Sequence, residues 1–272
     1  GPFGLDIHNP VFLISGLGIF AFVIGTLMVP EAATDLFKEM RNWVTVNFDW
    51  FFLLAGNIFV LFCLLLILTP MGSIRLGGDD AKPDYGYPGW FAMLFAAGMG
   101  IGLMFFGVSE PISHFGSSVA ASAGTPESWA PLSGAPGNPA AAAELGMAAT
   151  IYHWGLHPWA MYAVVALALA FFTYNRGLPL SLRSAFYPLF GDAVWGWVGH
   201  VIDTVAVLAT IFGLATSLGF GASQANAGMN FLFGIPDSDG TKIILIIAIT
   251  GIALMSVVRG LDGGVKRASE IN

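Results

Sequence analysis

Long apolar stretches alternate along this chain with short polar connections. Six of them reach or approach the roughly 20 residues that a helix rising 1.5 Å per residue needs to cross a hydrocarbon core of about 30 Å. The stretches cover residues 10–30, 48–70, 88–109, 146–174, 198–222 and 242–258. Each is apolar nearly all round, whereas a surface helix of a soluble protein has one apolar stripe. The pattern predicts an all-α integral membrane protein with six transmembrane helices in this chain.

The connections between these stretches are polar or rich in glycine and proline. Residues 31–47 carry charges of both signs and are expected to form a short surface helix. Residues 72–87 contain the loop signals Gly-Gly-Asp-Asp and Lys-Pro-Asp. Residues 117–138 are rich in Ala, Ser, Gly and Pro, and we expect them to form an extended external loop. No soluble domain is predicted.

The composition indicates that the bilayer is the solvent of this protein. Hydrophobic residues make up 56% of the 272 residues and charged residues 10%, whereas a soluble domain usually carries about a quarter charged residues. The net charge of −7 argues against nucleic acid as a partner, because phosphate binding needs a basic patch. With Cys63 as the one cysteine, neither an intrachain disulfide nor a cysteine zinc site is expected. We expect no cofactor and no transition-metal site.

The distribution of Lys and Arg predicts the orientation in the membrane. If the N-terminus is cytoplasmic, seven of the ten basic residues lie in inner loops: Arg75, Lys82, Arg176, Arg183, Arg259, Lys266 and Arg267. The outer loops then hold Lys38, Arg41 and Lys242. The positive-inside rule therefore favours a cytoplasmic N-terminus in the cell membrane. Because the sequence stops just after an inner basic cluster, we expect the chain to be part of a longer protein.

Glycine recurs at alternate positions in the third apolar stretch. Gly98, Gly100 and Gly102 do not all lie on one helix face, whereas the glycines of a GxxxG packing motif do. Three glycines in five residues favour local unwinding, because glycine is costly inside a helix. Unwound backbone is tolerated at membrane depth where it lines a cavity or binds a solute or an ion. Close helix packing through small residues is the alternative, and the spacing alone does not decide between them.

Three large aromatic residues follow in the fourth stretch. At about 100° per residue, Trp154 at 0° places Trp159 at about 140° and Tyr162 at about 80°, so the three share one side of a continuous helix. Pro158 removes one helical hydrogen bond and makes these angles approximate. Indole and phenol faces suit a permanently alkylated cation, which has no N–H to donate and binds through cation–π and apolar contact. An aromatic belt at the membrane interface is the alternative.

The histidines do not suggest an enzyme. His114, His153 and His157 are not spaced to form a catalytic or metal-binding cluster with any Cys, Asp or Glu. A polar contact between helices is the expected role of His153 and His157, and a proton relay is the alternative.

These residues resemble the betaine/choline/carnitine transporter family over essentially the whole chain. The strongest matches are residues 98–105, Gly-Met-Gly-Ile-Gly-Leu-Met-Phe, with the following Glu110 and Pro111, and residues 153–162, His-Trp-Gly-Leu-His-Pro-Trp-Ala-Met-Tyr. A third match, over residues 209–213 and 217–219, lies where the family has its fifth helix. Two long motifs in order and at family-like separation are highly specific.

The resemblance implies a twelve-helix transporter of the leucine-transporter-like fold. In that fold two inverted five-helix repeats follow two leading helices, and the family pattern adds a homotrimer that works by alternating access. By that pattern, residues 1–87 hold the two leading helices, and residues 88–272 hold four helices of the first repeat. The second repeat is absent from this chain.

The resemblance also implies the site residues. Trp154, Trp159 and Tyr162 match the aromatic substrate box, Met99, Gly100 and Gly102 match the backbone that approaches the substrate, and Ala96 and Met99 match carbonyl ligands of a sodium site. Proton-coupled choline members tend to have Asp at the position of Gly102. An Asp there would repel a substrate carboxylate, so the neutral glycine favours a betaine-like zwitterion and sodium.

A second sodium site departs from the family pattern. Sodium-coupled betaine carriers use two threonines one turn apart, and here Thr210 keeps the first whereas Leu214 replaces the second. Leucine offers no oxygen, and Ser217 on the same helix face is the candidate replacement. Asp203, on that face two turns earlier, is either a gate or a structural charge. For Thr210 and Ser217, ordinary hydrogen bonding between helices is the alternative.

The sequence therefore predicts a sodium-coupled symporter of a zwitterionic osmolyte, either glycine betaine or dimethylsulfoniopropionate, a sulfonium compound of similar shape. The alternative within transport is a proton-coupled or exchange carrier of choline- or carnitine-like substrates. From another class, the alternative is a structural membrane subunit that transports nothing. The expected partners are the onium substrate, sodium as the coupling ion, the lipid bilayer and further copies of the chain in a homotrimer.

Overall fold

The computed structural model describes residues 9–98, 100–121 and 130–271, and this part of the chain is helical, without a β-strand. Its α-helices are α1 Asn9–Met28, α2 Pro30–Leu68, α3 Tyr87–Gly98, α4 Ile101–Ala120, α5 Pro139–Trp154, α6 Leu156–Ala170, α7 Leu182–Ala185, α8 Tyr187–Phe190, α9 Trp197–Phe233, α10 Asp239–Val258 and α11 Lys266–Ile271. Short 3₁₀ helices cover Pro70–Ser73, Pro131–Ser133 and Gly191–Trp195, and π-helical turns cover Phe171–Asn175 and Leu261–Val265. The predicted all-α class is confirmed.

Within the described ranges, five helical segments are long and apolar enough to cross a membrane, and a sixth if α3 and α4 count as one span bent by 40°. This agrees with the six stretches that the sequence predicts. The large apolar side chains of these helices are mostly exposed, and α10 has no buried residue at all. Such surfaces need lipid or further protein segments as their surroundings.

The first part of the chain differs from the prediction. The charged residues 31–47 do not form a separate surface helix, because they are continuous with the apolar residues after them in the 39-residue helix α2. Pro30 begins this helix, where its missing N–H is no loss. The carboxylate of Glu31 in the first turn is stabilised by the positive end of the helix dipole. At 1.5 Å per residue α2 is about 58 Å long, nearly twice a hydrocarbon core. Its charged half therefore extends beyond its apolar half.

Two other predicted boundaries are shifted. Helix α4 continues to Ala120, so the predicted loop over residues 117–138 begins inside a helix, and residues 122–129 of that loop lie outside the described residues. Helix α9 continues for 37 residues to Phe233, eleven residues past the predicted end at 222.

The described chain falls into two compact units. One comprises the described residues up to Ala81 together with Trp154–Ile211, and the other comprises Lys82–His153 and the residues from Phe212 onward. In the first unit, α6 packs on α2. A Cβ atom on Gly56 would stand 3.4 Å from the His157 Cδ2 atom, an ordinary van der Waals distance, so the two helices lie against each other at this point. His157 Nε2 lies 3.1 Å from Asn57 Oδ1, which is the polar helix contact expected of this histidine.

In the second unit, α4 and α5 cross closely at Gly146. A Cβ atom on this glycine would stand 3.0 Å from the Phe115 backbone nitrogen and 3.1 Å from the Pro111 carbonyl oxygen. A small residue at this crossing is therefore required by the packing. The crossing places the C-terminal half of α5 against the middle of α4.

The connection between α9 and α10 in the same unit is held by Asn226, which is fully buried. Its Nδ2 donates to the Pro236 carbonyl oxygen at 3.1 Å, and its Oδ1 accepts from the Ser238 backbone N–H at 3.3 Å. Ser238 in turn caps α10, because its Oγ accepts from the Thr241 backbone N–H.

Candidate functional site

The predicted glycine break lies between α3 and α4. Gly98 is the last residue of α3 and Gly102 the second residue of α4, and Gly100 lies between the helices with φ −72° and ψ −145°. That ψ angle is not helical, so the chain unwinds here as the alternating glycines predict. The Gly100 carbonyl oxygen accepts the first bond of α4, from the Met104 N–H at 3.1 Å. Met99, predicted as a substrate and sodium contact, lies outside the described residues.

Ala96 stands in the last turn of α3 and is half-buried. The last four carbonyl groups of an α-helix have no partner within the helix, and the C-terminal end of a helix carries partial negative charge. The Ala96 carbonyl is one of these four, so it has the chemistry of a sodium ligand. Its role in a sodium site remains a prediction.

The structure brings two of the three predicted box aromatics together. Trp159 and Tyr162 are neighbours on α6, with ring centroids 6.0 Å apart and ring planes inclined by 38°. Both side chains are exposed, by 47% and 69% of their surfaces respectively, so their faces are open to a ligand or to another protein segment. The neighbouring positions that the helical spacing predicts for these two residues are confirmed.

Trp154 does not belong to the same helix, and the predicted continuous helix through residues 150–162 is wrong. Helix α5 ends at Trp154, α6 begins at Leu156, and Gly155 between them has φ −74° and ψ −120°. Pro158 then falls in the first turn of α6, where the missing N–H costs no helical bond. The angle computed for Trp154 therefore does not apply, and Trp154 is a half-buried residue at the end of α5. Its contact with substrate remains a prediction.

A carboxylate with two histidines lies in the second unit, and the sequence does not predict it. His153 Nδ1 is 2.8 Å from Glu110 Oε1 and 3.0 Å from Glu110 Oε2, and His114 Nε2 is 3.8 Å from Oε2. The Glu110 side chain is 12% exposed. The contact of His153 with Glu110 is the polar contact between helices expected of this histidine, although its partner is not predicted. Among the described residues, no group of three His, Cys, Asp or Glu side chains is placed to hold a metal ion.

Thr210, the predicted sodium ligand on α9, lines a cleft of about 350 Å³ in the first unit, together with Ser181 and Asp203. Its Oγ1 donates to the Ala206 carbonyl oxygen at 2.8 Å, so the oxygen keeps its lone pairs available. Asp203 does not supply free negative charge to the cleft, because its Oδ2 accepts from Arg183 Nε at 2.6 Å. Of the two roles left open for Asp203, the structure favours the structural charge.

The two other α9 positions of the predicted sodium site are in the second unit. Leu214 and Ser217 are both exposed. Their exposure does not identify an ion-binding site, and sodium binding at Ser217 remains a prediction.

Comparison with known proteins identifies the family. A family model described as BCCT, betaine/carnitine/choline family transporter, matches residues 10–272. A glycine betaine/proline/choline transporter of Vibrio parahaemolyticus serotype O3:K6 is 62% identical over 275 residues, covering 100% of this chain and 50% of that protein. A glycine betaine transporter of the same organism is 54% identical, covering 99% and 50%. The glycine betaine transporter OpuD of Bacillus subtilis (strain 168) is 42% identical, covering 93% and 47%.

The chain spans about half the length of these curated relatives. Each of the relatives is named a transporter and none an enzyme, in agreement with the sequence prediction. The family match extends from the first apolar stretch to the last residue, and it includes both the glycine break at Gly100 and the aromatic pair on α6. This chain, a multi-pass helical membrane protein, therefore belongs to the betaine/carnitine/choline transporter family.

Proposed function

We propose that this chain is part of a secondary active transporter that imports a zwitterionic quaternary-ammonium or sulfonium osmolyte together with sodium. The observation that carries the proposal is the aromatic pair of Trp159 and Tyr162, whose ring centroids are 6.0 Å apart on α6, just after the helix break at Gly155. Two aromatic rings at this separation present adjacent π faces to a cation. A permanently alkylated cation is matched by such faces better than by hydrogen-bond acceptors, because it has no N–H to donate.

The substrate class follows from this chemistry and from the relatives. The named substrates of similar transporters are glycine betaine, proline and choline in one Vibrio protein, with ectoine added in another. We propose glycine betaine or dimethylsulfoniopropionate for this chain. The carboxylate of either compound would meet the neutral Gly102 backbone and not an acidic side chain, which supports a zwitterion over the cation choline. Met99, Gly100 and Trp154 complete the proposed substrate contacts.

Sodium is the proposed coupling ion. One site would use the carbonyl groups of Ala96 and Met99, at the C-terminal end of α3 where carbonyls lack helical partners. A second set of ligands, Thr210 and Ser217 on α9, would supply hydroxyl oxygens. Sodium binds through such oxygen ligands, and half-helix ends are the usual place for coupling ions in transporters.

The relatives' length supports the proposed architecture. Since the chain spans about half of each relative, the second inverted repeat would be supplied by the other half of a twelve-helix protein. We propose that residues 1–87 are the two leading helices, that residues 88–272 are the first four helices of the first repeat, and that the whole protein forms a homotrimer. It would lie in the cell membrane with its N-terminus in the cytoplasm, the orientation that the basic loops favour.

The test is uptake by the full-length protein in liposomes. Labelled glycine betaine should enter under an inward sodium gradient, and a pH gradient without sodium should not replace it. Competition with unlabelled dimethylsulfoniopropionate, choline and carnitine ranks the substrates, and we expect the first to compete best. Uptake driven equally by protons in sodium-free buffer would favour the proton-coupled alternative. No uptake of any of these compounds would favour a structural subunit.

A further inference from the structure

We propose that Glu110, His114 and His153 form a proton-binding site within the membrane, and that its occupancy makes transport depend on pH. The effect on transport rests on the proposed function, whereas proton binding itself does not. None of the three residues is among the proposed substrate or sodium ligands. Glu110 is the tenth residue of the 20-residue helix α4, and its side chain is 12% exposed.

A carboxylate as buried as this one needs compensation, because an isolated buried charge is costly in a medium of low dielectric constant. In the described part of the chain, the ion pairs of Glu110 are with His153 and His114, and neither Lys nor Arg contacts it. Within the described residues, the groups that compensate the carboxylate are therefore ones whose charge depends on bound protons. An acidic residue inside a membrane span is by default a functional one.

The three side chains can be followed through their charge states. With the carboxylate ionised and both imidazoles neutral, the cluster carries one negative charge. One bound proton makes it neutral, whichever of the contacting atoms holds the proton, and a second would make it positive. The neutral state is the least costly in the membrane. Imidazole is the side chain that ordinarily changes charge between about pH 5 and pH 8.

Helices α4 and α5 and residues 212–233 of α9 carry two titratable side chains besides the cluster, Glu144 and Tyr152, both on α5. On α5, Glu144 is nine residues before His153 and therefore on the opposite side of the helix, at about 180°, and Tyr152 is an exposed neighbour. Helix α9 approaches α4 where Gln224 Nε2 donates to the Met104 carbonyl oxygen at 3.1 Å. Its residues 212–233 include no Asp, Glu, Lys, Arg or His, and Pro131–Ser133 near the end of α4 include none either.

The cluster is placed to influence transport. Glu110 belongs to α4, which begins at the unwound glycines, and His153 immediately precedes Trp154 and the break at Gly155. The hydrogen bond between them, together with the crossing at Gly146, fixes the end of α5 to the middle of α4. A hydrogen bond between charged partners is roughly twice as strong as one between neutral partners. Changing the proton count therefore changes how firmly these two helices are tied.

Proton binding is tested by infrared difference spectroscopy of the full-length protein in liposomes, without substrate, between about pH 5 and pH 8. Carboxyl and imidazole bands should change in the parent, and Glu110→Gln and His153→Gln should each lose a part of that change. Glu144→Gln, which removes an exposed carboxylate from α5, and His157→Gln, whose imidazole contacts the Asn57 amide, are the matched controls. If the Glu110 and His153 variants lose no more than their controls, the site does not exist.

Uptake at equal pH on both sides of the liposome tests the consequence for transport. The parent rate should change between about pH 5 and pH 8, and this dependence should be lost in Glu110→Gln and His153→Gln and kept in both controls. The effect on transport would be refuted if the uptake rate of the parent did not depend on pH, or if Glu110→Gln and His153→Gln both kept the same pH dependence as the parent. If a glutamine variant does not fold, Glu110→Asp and His153→Asn take its place, and the same bands should shift or disappear in them. If the parent takes up none of the compounds but still shows the infrared changes, the proposed transport function is wrong and the proton-binding site is not.

Discussion

Arg183 and Asp203 form a buried ion pair that ties the short helix α7 to the long helix α9. Arg183 Nε donates to Asp203 Oδ2 at 2.6 Å, and the Arg183 backbone N–H donates to Oδ1 at 3.1 Å. The two side chains are only 7% and 17% exposed. The guanidinium also donates to the Val194 carbonyl oxygen at 3.5 Å and to His200 Nδ1 at 3.3 Å. The acid and the base are thus both satisfied, which makes the pair a structural clamp of the first unit.

Removing one member of this pair should destabilise the protein. Asp203→Ala leaves a buried guanidinium without its carboxylate, and breaking a buried pair in this way costs about 3–5 kcal/mol. Replacing both residues by leucine should cost less, since no buried charge is then left alone. Thermal unfolding of the full-length protein in detergent measures both. Asp35→Ala, which breaks the exposed pair with Lys38, is the control, and an Asp203 variant no less stable than this one would contradict the clamp.

A side chain at Gly146 should disturb the crossing of α4 and α5. Gly146→Val places methyl groups where even a Cβ atom would stand 3.0 Å from the Phe115 backbone nitrogen, and overpacking of this kind typically costs about 1–3 kcal/mol. Gly213→Val is the matched control, because a Cβ atom on Gly213 would meet no other atom within 4 Å. Thermal unfolding of the two variants gives the comparison. Equal stability would mean that the helices do not cross at Gly146.

The transmembrane stretches could be predicted from the sequence, because the length and hydrophobicity of a span are properties of consecutive residues. The break at Gly100 could be predicted for a similar reason, since three alternating glycines weaken a helix locally. The break at Gly155 is harder to predict, because a single glycine is tolerated in many helices. Pro158 three residues later is a usable signal, since proline is accepted in the first turn of a new helix.

The contact between Glu110 and His153 could not be predicted from local patterns. The two residues are 43 positions apart, and their approach depends on the crossing of α4 and α5 at Gly146. The available signal is an acidic residue directly after an apolar stretch, which calls for a partner but does not identify it. The pairing of Arg183 with Asp203 could not be predicted either. The sequence position of Asp203 shows which face of α9 it lies on, but not which residue it contacts.

Truncating Trp159 should weaken substrate binding by the full-length protein. Trp159→Ala removes one desolvated cation–π face, a loss of about 1–2 kcal/mol, which corresponds to an increase of about 5- to 30-fold in the Kd. Trp159→Phe keeps a smaller π face and should retain part of the affinity. Trp197→Ala, at the exposed start of α9, should leave binding unchanged. Binding is measured by calorimetry with glycine betaine, and parental affinity in both Trp159 variants would remove this residue from the proposed box.

The leucine at position 214 should limit the number of sodium ions that drive transport. Sodium binds through oxygen ligands, and Leu214, one turn after Thr210 on α9, supplies an aliphatic side chain where the family resemblance implies a threonine oxygen. Either Thr210 and Ser217 complete a distorted second site, or the second ion is absent and one sodium accompanies each substrate. We expect the second outcome, because the leucine also occupies space that an ion and its ligands would need.

The dependence of the initial uptake rate on sodium concentration distinguishes these outcomes. One coupling ion predicts a Hill coefficient near one for the parent, and Leu214→Thr should raise it by restoring an oxygen at the liganding turn. Leu214→Val is the matched control, since valine has nearly the shape of threonine but no hydroxyl group, and it should leave the coefficient unchanged. A parent coefficient near two, supported by the charge moved per substrate, would refute the single-ion expectation. Oxygens from residues other than Thr210 and Ser217 would then have to complete the second site.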